Sequence, residues 1–175
     1  MGIEKLGDKY FVTSRPVKEL SVIEGKTQTL TNITATNYDL SGKTGKLTGP
    51  AKITIRAAKL ESFSLTFSNA AREKVVVGFD KVANQYFIDR TGSGKVSFEK
   101  GFAARHITPR ISAKEGADMV LIVDNASIEL FADNGLSVMT AIFFPNSPYT
   151  DMSIQSQNNF RLNSIEYTPL KSIWK

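Results

Sequence analysis

A chain of 175 residues with 41% hydrophobic and 22% charged residues can bury one substantial core, and it contains no run of 18 or more apolar residues that could span a bilayer. The lack of cysteine excludes a disulfide framework, a cysteine-based zinc site and thiol nucleophiles. A net charge of +5 raises the prior for a polyanionic partner. However, the basic residues are scattered as singles (Lys43, Lys46, Lys52, Arg56, Lys59) with no basic run, which argues against nucleic acid.

The opening residues show no basic segment leading into an apolar run, so no signal peptide is expected there. Residues 1–24 read as an interdomain joint, in which Val17, Leu20 and Ile23 after Pro16 suit a short helical turn or an extended connector. Residues 25–175 read as one β-sandwich module. Leu30 and Ile33 among threonines suggest a first strand. Strict alternation follows in Ala51–Ala58 (Ile53, Ile55) and Glu61–Ser68 (Phe63, Leu65, Phe67), the mark of strands with one buried face. Glu73–Asp80 and Gln85–Arg90 continue the series. Thr91–Lys114, punctuated by Gly92, Gly94, Gly101 and Pro109, reads as a long surface excursion. Beyond it, strands are expected at Met119–Asp124, Ser127–Asp133, Leu136–Phe144, Met152–Ser156 and Phe160–Tyr167, with Asn134-Gly135 as a type I′ hairpin turn. About ten short strands with almost no helical periodicity predict an all-β, two-sheet antiparallel sandwich of jelly-roll, concanavalin-like type.

Little chemistry is encoded. The single histidine, His106, has no nucleophile-elbow or metal-ligand context and reads as structural. Gly92-Ser93-Gly94-Lys95 lacks the spacing of a phosphate loop. Asp124 and Asp133 each close a strand, where a short carboxylate caps a turn. Glu129 lies mid-strand beside Phe131 and is expected to pair with Arg90 or Arg105. Tyr38, Tyr149 and Trp174 fall near turns or the terminus, where an aromatic ring could stack on a sugar.

Tyr86-Phe87-Ile88-Asp89-Arg90-Thr91-Gly92-Ser93-Gly94, then Phe98, Arg105-His106 and the run from Val123-Asp124 through Ser127, Glu129, Phe131 and Gly135 together resemble a known family. The chain is similar to the C-terminal β-sandwich of family 32 glycoside hydrolases, the β-fructofuranosidases that include invertases, levanases and inulinases. Arg15-Pro16-Val17-Lys18-Glu19-Leu20 resembles the opening of that domain and Leu170-Lys171-Ser172-Ile173-Trp174 its close, so the resemblance covers nearly the whole chain.

The resemblance implies a non-catalytic module. The family's catalytic carboxylates belong to an N-terminal propeller, and none of its W-M-N-D-P-N-G, R-D-P and E-C motifs occurs here. The implied partner is that propeller, and the implied setting is extracellular, periplasmic or cell-surface. Support of that propeller is the first role the resemblance implies, and fructan (levan or inulin) binding is the further candidate, with Asp89, Arg90, Arg105, Asp124 and Glu129 as the polar residues that would carry it. No cofactor, metal, nucleic acid or membrane span is expected. A free-standing lectin-like carbohydrate-binding domain is the alternative.

Overall fold

Alternation sets the architecture, because every second residue of most strands must leave water. The computed structural model describes residues 1–172. In chain order its strands are β1 (Gly2–Leu6), β2 (Lys9–Thr13), β3 (Gln28–Asp39), β4 (Ala51–Ala57), β5 (Phe63–Ser68), β6 (Lys74–Asp80), β7 (Gln85–Asp89), β8 (Arg105–Pro109), β9 (Ala117–Val123), β10 (Ser127–Ala132), β11 (Ser137–Ile142) and β12 (Asp151–Pro169). A 3-10 turn spans Lys18–Ile23 and a single helical turn spans Ser41–Thr44.

Strands β4 to β12 follow one hydrogen-bonded path, β11-β10-β9-β4-β12-β5-β6-β7-β8, with β3 on β12. The path folds over because β12 divides its pairing: residues 151–155 pair with β5, whereas 164–169 pair with β4. The register slips between Gln155 and Phe160, and Asn159 turns to a φ of 47°. Such an irregularity bends a strand and raises its twist. Strand β11 at one end of the path therefore meets β7 and β8 from the other. Sheet I holds β9, β10, β11, β4 and the late part of β12; sheet II holds β5 to β8 and the early part of β12.

The core lies between the layers. Phe63 of β5 stacks on Phe160 of β12 with centroids 5.1 Å apart, and Phe79 meets Tyr86 at 5.1 Å. Leu65, Phe67, Ile88, Ile128, Leu130 and Ile154 are fully buried around them. Each such side chain contributes about 1.5–3 kcal/mol of transfer free energy.

The sandwich matches the expected fold class, with four local differences. Met152–Ser156 and Phe160–Tyr167 are one bent strand rather than two. The excursion 91–114 contains β8, which pairs with β7 over Gln85–Asp89; its alternation spans only five residues and ends on Pro109, so turn residues mask it. Residues 2–13 form a two-stranded hairpin that lies outside the ten-strand path.

Asn134-Gly135 is not a two-residue type I′ turn. The last Cα partners are Ala132 and Ser137, leaving four residues in the loop, and Asp133, Asn134 and Gly135 take φ values of 50°, 62° and 86°. A Cβ on Gly135 would lie 2.1 Å from the Ser14 carbonyl oxygen, so only glycine lets the N-terminal segment approach this closely.

Candidate functional site

The outer face of sheet II is built by register. Asn37, Gln155, Ser64, Gly78, Phe87 and Ile107 form one row across β3, β12, β5, β6, β7 and β8. Two residues along each strand, Asp39, Ser153, Thr66, Val76, Asp89 and Arg105 form the next. A period of two puts both rows on the same side. Hydroxyls and amides therefore line a shallow cleft of about 630 Å³, whose walls include Asn37, Ser62, Ser64, Phe87, Arg105 and Gln155.

Phe87 lies flat in this cleft because its neighbour is glycine: a Cβ on Gly78 would sit 2.6 Å from the Phe87 ring. The Arg105 guanidinium carbon covers the other face of that ring, 3.7 Å from its centroid, leaving Phe87 only 8% exposed. Arg105 itself is exposed and has no hydrogen-bond or ion-pair partner among the described residues. Its donors face solvent in a fixed fork. Beside it, Asp89 accepts hydrogen bonds from the Thr91 amide at 2.9 Å and the Thr91 hydroxyl at 2.6 Å.

A second arginine–carboxylate group is buried. Arg110 donates from Nε to Asp133 Oδ2 and from Nη2 to Asp133 Oδ1, both at 2.9 Å, and from Nη2 to the Gly116 carbonyl at 2.8 Å. The Tyr86 hydroxyl donates to Asp133 Oδ2 at 2.8 Å. The two charged side chains are 7% and 2% exposed. Burial first, and then the Asp133 charge, pushes the Tyr86 hydroxyl well above its ordinary value. For Arg110 burial is the largest single effect and opposes the charge, but hydrogen bonding to Asp133 together with the charges of Tyr86 and Asp133 raises the value overall. This cluster ties β7 of sheet II to the β10–β11 loop of sheet I, so its chemistry is structural. Among the described residues no three His, Asp or Glu side chains gather as a cation site, and no helix is long and apolar enough to cross a membrane.

The family described as glycosyl hydrolases family 32, C terminal, matches residues 17–169. The chain belongs to that family. Among curated relatives, a levanase of Bacillus subtilis (strain 168) is 26% identical over 169 residues, 93% of this chain and 25% of its own length. An extracellular exo-inulinase of Aspergillus awamori is 34% identical over 143 residues, covering 81% of this chain and 24% of its own. The crystal structure of exo-inulinase from Aspergillus awamori shares the fold with a TM-score of 0.82 at 24% identity, over 99% of this chain and 35% of that one. This chain thus spans about a quarter of the curated relatives it matches. It is a C-terminal glycosyl hydrolase family 32 domain, the portion of these enzymes outside their catalytic part.

Within this family 32 domain the five candidate sugar contacts do not form one cluster. Asp89 and Arg105 are direct Cα partners on the outer face of sheet II. Arg90 points elsewhere: it donates to the Phe102 carbonyl at 2.8 Å and the Ile142 carbonyl at 3.0 Å, with its guanidinium 3.9 Å from the Phe102 ring centroid. Asp124 caps its turn as expected, accepting from the Asn125 amide at 2.7 Å. Glu129 sits on the outer face of sheet I between Ile122 and Thr140, half-buried and without an ion pair among the described residues, so the expected pairing with Arg90 or Arg105 does not occur. A mid-strand residue facing outward is on the wrong side of its sheet to reach β7 or β8.

Asp133 does not cap a turn; its left-handed backbone directs the carboxylate to Arg110. Tyr149 is buried and donates to the Ser93 carbonyl at 2.9 Å, while Tyr38 is half-buried against the core. Neither presents a free ring, and Trp174 lies outside the described residues. Sequence reading missed Tyr86–Arg110–Asp133 and the hydroxyl–amide rows. Alternation names the outward residues of each strand, but only register joins residues as distant in the chain as Ser64 and Gln155.

Proposed function

We propose that this chain is the accessory C-terminal module of a secreted fructan hydrolase, bracing an N-terminal catalytic propeller and offering fructan the outer face of sheet II. The observation that carries the reading is the match of nearly the whole chain to the C-terminal part of enzymes named levanase and exo-inulinase. The relative from Aspergillus awamori is named an extracellular enzyme, which supports secretion.

The chemistry of sheet II supports the sugar contact. Fructan is neutral and presents many hydroxyls, each a donor and an acceptor. Asn37, Ser64 and Gln155 match that pattern, and the unengaged Arg105 donors and the second carboxylate oxygen of Asp89, the one Thr91 does not use, provide directional bonds of the stronger, charge-assisted kind. Asp124, Glu129 and Arg90, also proposed as contacts from the sequence, lie off this face, so the proposal narrows to Asp89 and Arg105.

The isolated chain is expected to release no fructose from sucrose, inulin or levan, because it matches only the C-terminal family 32 module, whereas glycoside hydrolysis needs a positioned pair of carboxylates. Turnover that follows the protein through gel filtration would overturn the assignment.

A further inference from the structure

The bend in β12 opens a second polar cleft. Where the register slips between Gln155 and Phe160, Asn159 takes a left-handed φ of 47°, and Asn32 of β3 does the same at 55°. Asparagine tolerates that backbone. Around the slip, about 660 Å³ is enclosed by walls that include Asn32, Thr34, Lys59, Asn158, Arg161 and Asn163, within the roughly 300–1,000 Å³ of a small-ligand site. Arg161 and Thr34 are direct Cα partners across β12 and β3.

The lining is only partly engaged. Asn163 Oδ1 accepts from the Ala58 amide at 2.9 Å, and the Glu61 carboxylate is held by Lys81 at 2.8 Å. Asn32, Lys59, Asn158 and Arg161 are exposed, and their side chains make no hydrogen bond or ion pair among the described residues.

This cleft adjoins the one that holds Arg105. Glu61 walls the first and Ser62 the second, and Asn158 and Gln157 divide in the same way. Hydrogen bonds fix the boundary: the Thr36 hydroxyl of one wall donates to Asn159 Oδ1 of the other at 2.8 Å. The Ser156 hydroxyl donates to the Ser62 carbonyl at 2.7 Å and accepts from the Asn158 amide at 3.4 Å.

From this continuity we infer that the two clefts form one groove that binds a run of fructosyl units within a fructan chain, with Arg105 in one part and Arg161 in the other. The inference rests on the proposed sugar contact at Arg105 and extends it from a single site to a length of chain. Free side-chain amides offer the donors and acceptors that sugar hydroxyls need, and the two guanidinium groups add directional donors. The Glu61 carboxylate in the same wall disfavours an anionic polymer. A fructan chain long enough to reach both clefts makes its second contact intramolecularly, so affinity rises with chain length.

The test titrates the labelled protein with a fructan trisaccharide and with long-chain inulin and levan, following the arginine side-chain and asparagine amide resonances. Wild type, Arg161→Ala and Asn158→Ala are compared; both positions are exposed, so each variant should keep its thermal midpoint within about 2 °C. With long chains, Arg105, Asn158 and Arg161 should respond together with one affinity. Each substitution should weaken long-chain binding read at Arg105 about tenfold or more, and leave trisaccharide binding read there within about twofold. Unchanged long-chain affinity in both variants, with Arg105 still responding, would overturn the inference while the sugar contact at Arg105 stands. A response at Arg161 to dextran sulfate alone, falling steeply with salt, would make the second cleft an anion site and also overturn it. If no fructan perturbs Arg105 in the wild type, the proposed sugar contact itself fails and the inference falls with it.

Discussion

Two arginine–carboxylate–aromatic groups share β7 and do opposite things. Arg110, Asp133 and Tyr86 meet in the interior, where both Asp133 oxygens, Arg110 Nε and Nη2 and the Tyr86 hydroxyl are all hydrogen-bonded. Arg105, Asp89 and Phe87 lie on the outer face, where the guanidinium stacks on the ring and leaves its donors in water. Adjacent residues of one strand, Tyr86 and Phe87, thus belong to the two groups, one facing inward and one outward. The difference shows that burial, not residue type, decides whether such a group acts as a fastener or keeps its polar atoms in solvent. Desolvated charges must satisfy one another, and solvated ones remain available to a ligand.

The sharpest way to break the comparison is to remove one buried charge. Asp133→Asn keeps the shape and tolerates the left-handed backbone, but leaves Arg110 uncompensated and should cost about 3–5 kcal/mol in denaturant unfolding. A loss under about 1 kcal/mol would mean that the interior pair is hydrated and no different from the surface one.

A smaller effect should appear in alkali. The raised Tyr86 value means that the folded state holds its proton more tightly than the unfolded chain. Stability from this group is therefore complete below the unfolded tyrosine value of about 10 and declines as pH rises beyond it. Tyr149 and Tyr167 are raised too, chiefly by burial, so the wild-type urea midpoint should fall between pH 9 and 11. The fall should be shallower in Tyr86→Phe. Parallel slopes in the two proteins would show that Tyr86 ionises as readily folded as unfolded.

The smallest effects belong outside. Arg105→Ala and Glu129→Ala should each change stability by less than about 0.5 kcal/mol. A cost of several kcal/mol for Glu129→Ala would restore the buried ion pair that the sequence suggested and the structure lacks.

Much of this was legible in the sequence where a signal is local. The alternation of Phe63, Leu65 and Phe67 identifies β5 and its inward face, and the residues from Tyr86 to Gly135 carry the family. The Asp124 turn follows from chemistry two residues wide. What was not legible depends on distance through space. Asp133 and Asp124 look alike in sequence, each closing a strand before an asparagine, yet only Asp133 lies near Arg110. Arg90 and Arg105 read as equivalents, and the alternation of a strand too short to recognise, β8, places Arg105 on the outer face. The hairpin at residues 2–13 was hidden because its apolar residues face solvent in this chain, contrary to the pattern that identifies a strand in a core.

The most direct test of the account maps where fructan touches the chain. Levan and inulin oligosaccharides should be titrated into the labelled protein and followed by backbone and arginine side-chain resonances, for wild type and for Arg105→Ala. The account predicts shifts at Asn37, Ser64, Phe87, Asp89, Arg105 and Gln155, nearly independent of salt because a neutral ligand releases no counterions. It also predicts no shift at Arg110 or Asp133, and loss of the response in Arg105→Ala. No shift up to millimolar sugar, or shifts confined to the apolar cleft around Phe98, Phe144 and Pro148, would contradict the assignment of the outer face of sheet II as the sugar-facing surface.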